Sequence, residues 1–294
     1  MKQNTTATWL LLIGTFFWGV TFVVVKEAIA EINIYRFLAW RFTISTIGLA
    51  IFFLPSFRLV TWKMIRYGVF LGIILTIGYV TQTVGLIYTS ASKAAFITGL
   101  SVVLVPLMMA LVQRRSPSAM QWLATIMATI GVALLTLSSS IAINPGDIWV
   151  LACAVTFAVY ILLVSKYSRI FAAIPFTVIQ LVTVSLISAL VATGIGEWRM
   201  PHGYIVWQAI IICSLFATSF MYAVQNHYQK FISEVKAVII YSMEPLFAAV
   251  AAYFYLQEQI TVRMICGGAL ILIGMLCSEL QWENVVRKLQ LIKK

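Results

Sequence analysis

Residues 67–89 read YGVFLGIILTIGYVTQTVGLIYT, a run without a single charged side chain. The run is continuously apolar and does not alternate between apolar and polar residues, so it lacks the pattern of a strand in a membrane barrel. A helix needs about 20 consecutive apolar residues to cross a hydrocarbon core of roughly 30 Å. This stretch is therefore predicted to be a transmembrane helix.

The same pattern recurs along the whole chain, between clusters of proline, glycine and charged residues. The sequence is 62% hydrophobic and 10% charged, whereas about a quarter of the residues in a soluble domain are charged. The outer surface is therefore expected to face lipid, and the predicted fold is an all-α membrane protein with ten transmembrane helices. The predicted spans are residues 8–26, 33–54, 67–89, 93–112, 119–139, 147–165, 174–193, 204–226, 236–256 and 262–280.

The net charge of +11 indicates a topology and not a binding partner. If both termini are cytoplasmic, most of the 20 lysines and arginines lie at cytoplasmic helix ends and loops, as the positive-inside rule requires. No nucleic-acid partner is expected. The predicted location is the cell membrane, with a bacterial inner membrane as the best fit, and residues 281–294 form a basic cytoplasmic tail.

Two parts of the sequence repeat one pattern. Tyr79 and Gln82 are followed by Ser90 and Lys93, and the same residue types recur exactly 143 positions later as Tyr222, Gln225, Ser233 and Lys236. We therefore divide the chain into repeats 1–142 and 143–280. Because each repeat holds five predicted spans, an odd number, the second repeat is expected to enter the membrane inverted, an architecture of many secondary transporters.

Motifs in both repeats resemble one known family. They are Trp18-Gly19-x-x-Phe22, Arg41, Tyr88-Thr-Ser-Ala-Ser-Lys-Ala-Ala-Phe96, Val105-Pro106-Leu107, Glu244-Pro245-Leu246, Glu258, Gly267, Gly268 and Gly274. Together they resemble the EamA-type transporters of the drug/metabolite transporter superfamily. The resemblance implies ten spans in two inverted five-helix repeats and gradient-driven transport of a small metabolite. In one respect the chain departs from it, since Arg114 and Arg115 stand where the first repeat would carry the counterpart of Glu258.

Glu244 is the first candidate for a role in coupling. It lies about eight residues into a predicted span, roughly 12 Å along the helix, and ionisable groups at such depth are costly and tend to be functional or paired. One interpretation is a proton-coupling or cation-binding carboxylate. The other is a structural carboxylate that pairs with a basic neighbour or caps the backbone freed by Pro245.

Three basic residues are further candidates. Lys93 and Lys236 begin equivalent spans, where a cation opposes the helix dipole. They could attract an anionic substrate, or extend to the membrane interface. Arg41 lies inside the second span, where an ion-pair anchor and a substrate contact are both consistent with the sequence.

A central cavity is expected to be lined by aromatic and uncharged polar side chains, which can hold a ring or an amine. Each of these residues could equally be helix-packing material. The candidates are Trp18, Thr21, Tyr79, Gln82, Phe96, Tyr160, Tyr222, Gln225 and Tyr241. Pro106 and Pro245 interrupt helix hydrogen bonding and are candidate hinges.

The leading hypothesis is a secondary transporter that exports an amino acid or a related compound by alternating access, with a proton or another ion as the possible partner. No cofactor, metal site or enzymatic activity is expected, because the sequence has no phosphate-binding loop and no metal-ligand spacing. The alternatives are a lipid or lipid-linked sugar translocase and a membrane-embedded lipid-modifying enzyme. The sequence is compatible with a monomer or a homodimer.

Overall fold

Every regular element in the described part of the chain is helical. The structure is a computed structural model that describes residues 2–112, 114–136, 144–256 and 261–279. Short 3₁₀ turns lie at Leu54–Leu59 and Gln229–Phe231. The α-helices are α1 (Lys2–Ala28), α2 (Ile34–Phe52), α3 (Trp62–Tyr88), α4 (Ala91–Gly99), α5 (Ser101–Leu111), α6 (Ala119–Thr136), α7 (Pro145–Tyr167), α8 (Ala173–Gly194), α9 (Tyr204–Ile212), α10 (Met221–Tyr228), α11 (Glu234–Tyr241), α12 (Glu244–Leu256) and α13 (Val262–Glu279).

Seven helical stretches of the described residues are long and apolar enough to cross a membrane. They are Gln3–Ala28, Trp62–Tyr88, Lys93–Leu111, Pro145–Tyr167, Ala173–Gly194, Tyr204–Phe231 and Glu234–Tyr255. Two further helices, Ala119–Leu134 and Ile265–Cys277, are also apolar but shorter. Helix α2 falls outside this set, and it carries both Arg36 and Arg41. The multi-pass helical fold is confirmed, whereas the count of ten spans stays a prediction.

The predicted spans 93–112 and 236–256 are each divided within the membrane. Helix α4 ends at Gly99. The amide of the next residue, Leu100, donates to the carbonyl three residues earlier, that of Ile97, at 3.1 Å, and α5 begins at Ser101. Helix α11 ends in the same way, with the amide of Met243 bonded to the carbonyl of Ile240 at 3.1 Å. Leu100 and Met243 are 143 positions apart, so the two interruptions obey the sequence repeat.

The starts of α4 and α11 are also equivalent. Ser90 and Ser233 precede these helices with the same backbone angles, φ −73° and ψ 156°. Each serine hydroxyl accepts a hydrogen bond from the backbone amide three residues later, Lys93 or Lys236, at 3.2 Å. These are N-caps, which satisfy an otherwise unpaired amide at the helix start.

A π-helical stretch, Cys213–Phe220, joins α9 to α10. Such stretches leave the regular hydrogen-bonding pattern and are frequent at functional sites. Hydroxyls bond the irregular backbone here: Ser45 donates to the carbonyl of Ser214 at 2.9 Å, while Ser214 donates to that of Arg41 at 2.9 Å. Helix α2 is thereby fixed against the π-helical stretch.

The principal helix contacts cross from the first half of the chain to the second. Helix α6 packs on α13, α3 on α7, α2 on α8, and α1 on α12. The approach of α6 to α13 depends on Gly131, where an added Cβ would lie 2.6 Å from the carbonyl oxygen of Gly267. Small residues allow this close backbone approach between membrane helices.

Large apolar side chains cover the outside of the bundle. Phe52 is 82% exposed and Phe254 is 73% exposed. A monomeric soluble protein rarely exposes apolar area on this scale. This outer surface is suited to lipid, while the polar side chains described next are buried inside.

Candidate transport cavity

A cavity lined by polar and aromatic side chains lies in the centre of the helix bundle. Its volume is about 40 Å³. The lining residues are Trp18, Thr21, Arg41, Tyr79, Gln82, Thr98, Ser101, Phe157, Tyr160, Ile161, Tyr222, Gln225, Tyr241 and Glu244.

Eight of the nine residues predicted to line a cavity lie there; the exception is Phe96. The ring of Phe96 is half-buried and packs against the apolar core of the bundle. Thr98 lies two residues further along α4, about 200° around the helix, and it faces the cavity instead. Phe96 therefore belongs to the packing of α4. The binding role of the other eight stays a prediction.

Much of the cavity wall consists of residues related by the 143-residue repeat. Helices contribute lining residues three positions apart, the spacing that places side chains on one helix face. Equivalent helices of the two halves contribute equivalent positions. The matched pairs are Tyr79 with Tyr222, Gln82 with Gln225, Thr98 with Tyr241, and Ser101 with Glu244.

Aromatic residues hold four helices together around the cavity. The hydroxyls of Tyr79 and Tyr222 are 2.8 Å apart and form a hydrogen bond. The indole Nε1 of Trp18 donates to the carbonyl of Ala217 in the π-helical stretch at 2.8 Å. The Trp18 ring also lies 5.4 Å from the ring of Tyr241. These contacts connect α1, α3, α10 and α11.

Arg41 brings a buried positive charge to the cavity, with only 3% of the residue exposed. Its Nε donates to the Thr218 hydroxyl at 2.9 Å, and its Nη2 is 3.4 Å from the Tyr79 hydroxyl. The guanidinium carbon lies 4.7 Å from the centre of the Tyr79 ring, which is cation–π geometry. Among the described residues no carboxylate lies within 4.0 Å of it. The ion-pair interpretation of Arg41 thus finds no described partner.

Glu244 brings a carboxyl group to the same cavity and is 8% exposed. It is the first residue of α12, directly after the interruption at Met243, where the helix dipole favours a negative charge. None of the described residues forms a hydrogen bond or an ion pair with its carboxylate. Two neighbouring groups are also unsatisfied: both amide atoms of Gln225 and the Thr98 hydroxyl are buried without a described partner.

The two candidate lysines lie outside this cavity and bond to groups that the sequence did not single out. The Lys93 amine forms an ion pair with the Asp147 carboxylate at 2.6 Å, and Asp147 also accepts from the Thr89 hydroxyl at 3.0 Å. The Lys236 amine donates to the side-chain oxygen of Asn4 at 2.5 Å. Asn4 and Asp147 are themselves 143 positions apart, so the two lysine contacts are equivalent. The partner of Lys93 is charged, whereas Asn4 is neutral.

The two lysine contacts lie at opposite ends of α1. Asn4 is in its first turn, whereas Lys26 in its last turn donates to the Thr89 carbonyl at 3.0 Å, beside the cap of the Lys93 helix. The 22 residues between Asn4 and Lys26 correspond to roughly 33 Å of helix. The cavity therefore lies between the end at which Lys93 bonds to a charged partner and the end at which Lys236 bonds to a neutral one.

The candidate hinge prolines do not mark the interruptions themselves. Pro106 lies within α5, six residues after Leu100, and Pro245 is the second residue of α12. A proline is readily accommodated in the first turn of a helix, so Pro245 fits the start of α12. Glu258, also named from the family resemblance, lies outside the described residues.

No group of three or more His, Cys, Asp and Glu side chains in the described residues could hold a metal ion. A multi-pass helical bundle around a central cavity, with ends of equivalent construction, is consistent with a protein of the membrane-transporter class.

Comparisons with known proteins give the family. The model of the EamA-like transporter family matches the chain twice, at residues 5–137 and 144–279. The chain belongs to the EamA-like transporter family, and thereby to the drug/metabolite transporter superfamily. It is a multi-pass membrane transporter.

Two relatives named as transporters agree with this family, and one solved structure shares the fold. An uncharacterized transporter of Archaeoglobus fulgidus is 31% identical over 271 residues, which cover 92% of this chain and 85% of that protein. The uncharacterized transporter YyaM of Bacillus subtilis is 25% identical, with 92% and 93% covered. A crystal structure of a protein with 16% identity has the same fold, with a TM-score of 0.77 over 94% of this chain and 96% of that one. The names of these relatives indicate transporters and not enzymes.

Proposed function

We propose that this protein is a secondary active transporter that exports a small metabolite, an amino acid or a related compound. In this proposal the solute binds in the central cavity, between two inverted five-helix halves at residues 1–142 and 143–280. The cavity opens alternately toward the two sides of the membrane. Transport is driven by a proton or another ion, or by exchange of solutes.

The observation that carries the proposal is the matched composition of the cavity wall. Tyr79 and Gln82 on α3 face the same space as Tyr222 and Gln225 on α10. A site bordered by equivalent residues of two inverted halves is the arrangement expected for alternating access, because each half can adopt the conformation of the other. The two matches to one family model support the same division of the chain.

The lysine contacts supply groups that could hold the two ends closed in turn. Lys93 and Asp147 connect α4 to α7, and Lys236 and Asn4 connect α11 to α1. Opening either end requires separation of helix starts that these contacts join. Under this proposal, one contact breaks while the equivalent one forms.

Counterflow in proteoliposomes is the decisive test. Vesicles preloaded with an unlabelled amino acid are diluted into a trace of the same labelled compound, and label is expected to accumulate transiently inside. A carrier shows this behaviour because the excess unlabelled compound inside occupies its binding site and slows the exit of the label. A channel does not concentrate the label. The panel contains amino acids, amines, organic acids and sugars, each measured with and without a proton gradient.

Phe254→Ala is the matched control, because this side chain lies on the lipid-facing surface and away from the cavity. It is expected to retain counterflow. If no compound in the panel shows counterflow or gradient-dependent flux in vesicles that contain folded protein, the proposed function is wrong. Movement of labelled lipid between leaflets under the same conditions would support the translocase alternative instead.

A further inference from the structure

The central cavity contains one buried basic side chain and one buried acidic side chain, and the two are not paired with each other. Arg41 reaches it from α2 in the first half, and Glu244 reaches it from α12 in the second half. Among the described residues the ion pairs within 4.0 Å are Arg36 with Glu197 and Lys93 with Asp147. Burial of a charge without a partner is expensive, so both groups are available to a ligand that supplies the opposite charge.

The Arg41 guanidinium retains hydrogen-bonding capacity after its protein contacts are made. It has five N–H donors in one plane, and Thr218 and Tyr79 engage only Nε and Nη2. The Tyr79 ring beneath the group restricts its orientation. A planar guanidinium with free donors matches a carboxylate, which can accept two parallel hydrogen bonds.

The surroundings of Glu244 match an ammonium group. An ammonium has three N–H donors and no acceptor. Glu244 offers carboxylate oxygens, and the Gln225 amide oxygen and the Thr98 hydroxyl oxygen are buried acceptors without described partners. Helix α4, which carries Thr98, packs directly on α12. The rings of Trp18 and Tyr241 also border this space and can attract a cation.

We infer that the cavity binds a small zwitterion, with its carboxylate on Arg41 and its ammonium group on Glu244. The inference rests on the proposed transport function and adds the charge pattern and orientation of the substrate. A solute with one charge would leave the other buried group without a partner. A small amino acid satisfies both groups and keeps the occupied cavity electrically neutral.

The cavity volume of about 40 Å³ is small, which favours the smaller members of this class. The opposite charges also come from different halves of the chain. One zwitterion would therefore connect the two halves through its two ends.

The test compares each amino acid with two relatives that keep only one charge. Glycine, alanine, serine and threonine are measured by counterflow beside their amides, which keep the ammonium group, and their des-amino acids, which keep the carboxylate. For alanine these relatives are alaninamide and propionate. We expect the zwitterions to be transported and each single-charge relative to bind about ten- to hundredfold more weakly, the loss expected for a hydrogen bond to a charged group.

Two substitutions assign the ends of the substrate. In Glu244→Gln, affinity for alanine should fall while affinity for propionate is retained, which narrows the difference between them. In Arg41→Gln, affinity for alanine should fall while affinity for alaninamide is retained, so the difference between these two affinities should narrow. A purely structural role would weaken all three ligands together. Arg36→Gln is the matched control, because Arg36 lies on the same helix but outside the cavity and should leave all three affinities unchanged.

The failures of the two proposals are distinguishable. If the wild-type protein transports amides or des-amino acids as well as the parent amino acids, the zwitterion inference is wrong and the transport function stands. If no solute of any charge is transported, the proposed function fails and the inference falls with it. If either variant does not fold, the comparison of ligands on the wild-type protein alone still decides whether both charges are required.

Discussion

The hydroxyl groups of Tyr79 and Tyr222 are hydrogen bonded to each other at 2.8 Å, although these residues occupy equivalent positions 143 residues apart. Each tyrosine therefore meets its own counterpart. A contact of this kind joins equivalent positions of the two halves, so an exchange of their conformations would leave its two partners unchanged. Around it lie the other matched residues of the cavity.

Replacement of these tyrosines by phenylalanine tests this contact. Tyr222→Phe should lower the free energy of unfolding by about 1 kcal/mol, the typical value of one hydrogen bond. Tyr79→Phe should cost somewhat more, because the Tyr79 hydroxyl also faces Arg41. The double variant should lose less than the sum of the two single variants, since they remove the same bond. Unfolding in detergent gives these values, and strict additivity would contradict the contact.

The close approach of α6 to α13 gives a second prediction. In Gly131→Ala the new methyl group would lie 2.6 Å from the backbone oxygen of Gly267 and 2.7 Å from a side-chain carbon of Ile271. Since a backbone oxygen cannot rotate away, the helices must separate. This should lower the free energy of unfolding by about 1–3 kcal/mol. Thermal unfolding of the purified protein measures this loss.

Gly48→Ala is the control for that experiment. A Cβ at Gly48 meets no atom within 4 Å, and the residue lies inside α2, where alanine is favoured over glycine by up to about 1 kcal/mol. This variant should unfold at the same temperature as the wild-type protein or at a higher one. Equal destabilisation at both glycines would show that the helix contact is not the cause.

The neutral partner of Lys236 gives a third prediction. In Asn4→Asp a carboxylate replaces the amide that lies 2.5 Å from the Lys236 amine, which reproduces at this end the ion pair of Lys93 with Asp147. A carboxylate adds attraction between opposite charges to the hydrogen bond that the lysine ammonium already makes, so the melting temperature should rise. Counterflow should become slower, because this end is held closed longer.

The reverse substitution, Asp147→Asn, is the complement. It makes the Lys93 end resemble the Lys236 end and should lower the melting temperature, by an amount that decreases at high salt because the Lys93 side chain is 30% exposed. Opposite effects of the two substitutions on stability are expected. A decrease in stability for both would indicate that Asn4 and Asp147 are not interchangeable.

Trp18 gives a fourth prediction. Trp18→Phe keeps an aromatic ring but removes the hydrogen bond from Nε1 to the Ala217 carbonyl at 2.8 Å. This buried carbonyl belongs to the π-helical stretch. The loss of its donor should therefore lower the free energy of unfolding by about 1–3 kcal/mol. Trp62→Phe, at a tryptophan that is 79% exposed, should have little effect. Equal melting temperatures for both variants would contradict the role of the Trp18 bond.

Residue chemistry and the sequence repeat both contributed to the prediction of the cavity. Tyr79, Gln82 and their counterparts were found because the 143-residue offset pairs uncommon residue types within apolar helices. The same offset could have found Thr98 and Ser101, which are equivalent to Tyr241 and Glu244. It could also have paired Asn4 with Asp147. Single threonines, serines and asparagines near helix ends are too common to indicate a site without that relationship.

The helix interruptions carried only a weak local signal, since Gly99 directly precedes the first and Pro245 follows the second. The π-helical stretch carried none. The prolines suggested changes of helix direction near Pro106 and Pro245, yet the first interruption lies at Leu100, an ordinary helix former. Residues 213–220 contain neither glycine nor proline. Their backbone is set by contacts with distant residues such as Ser45 and Trp18, which sequence patterns along one helix cannot reveal.

The matched pairs that border the cavity have a consequence for how a solute would travel. Hydroxyl, amide and aromatic groups from both halves present similar surroundings to a molecule that arrives from either side. Arg41 and Glu244 have no such equivalence, since each charge belongs to one half only. A zwitterion held between them, as inferred above, would therefore keep one orientation relative to the protein, whichever side of the membrane it came from.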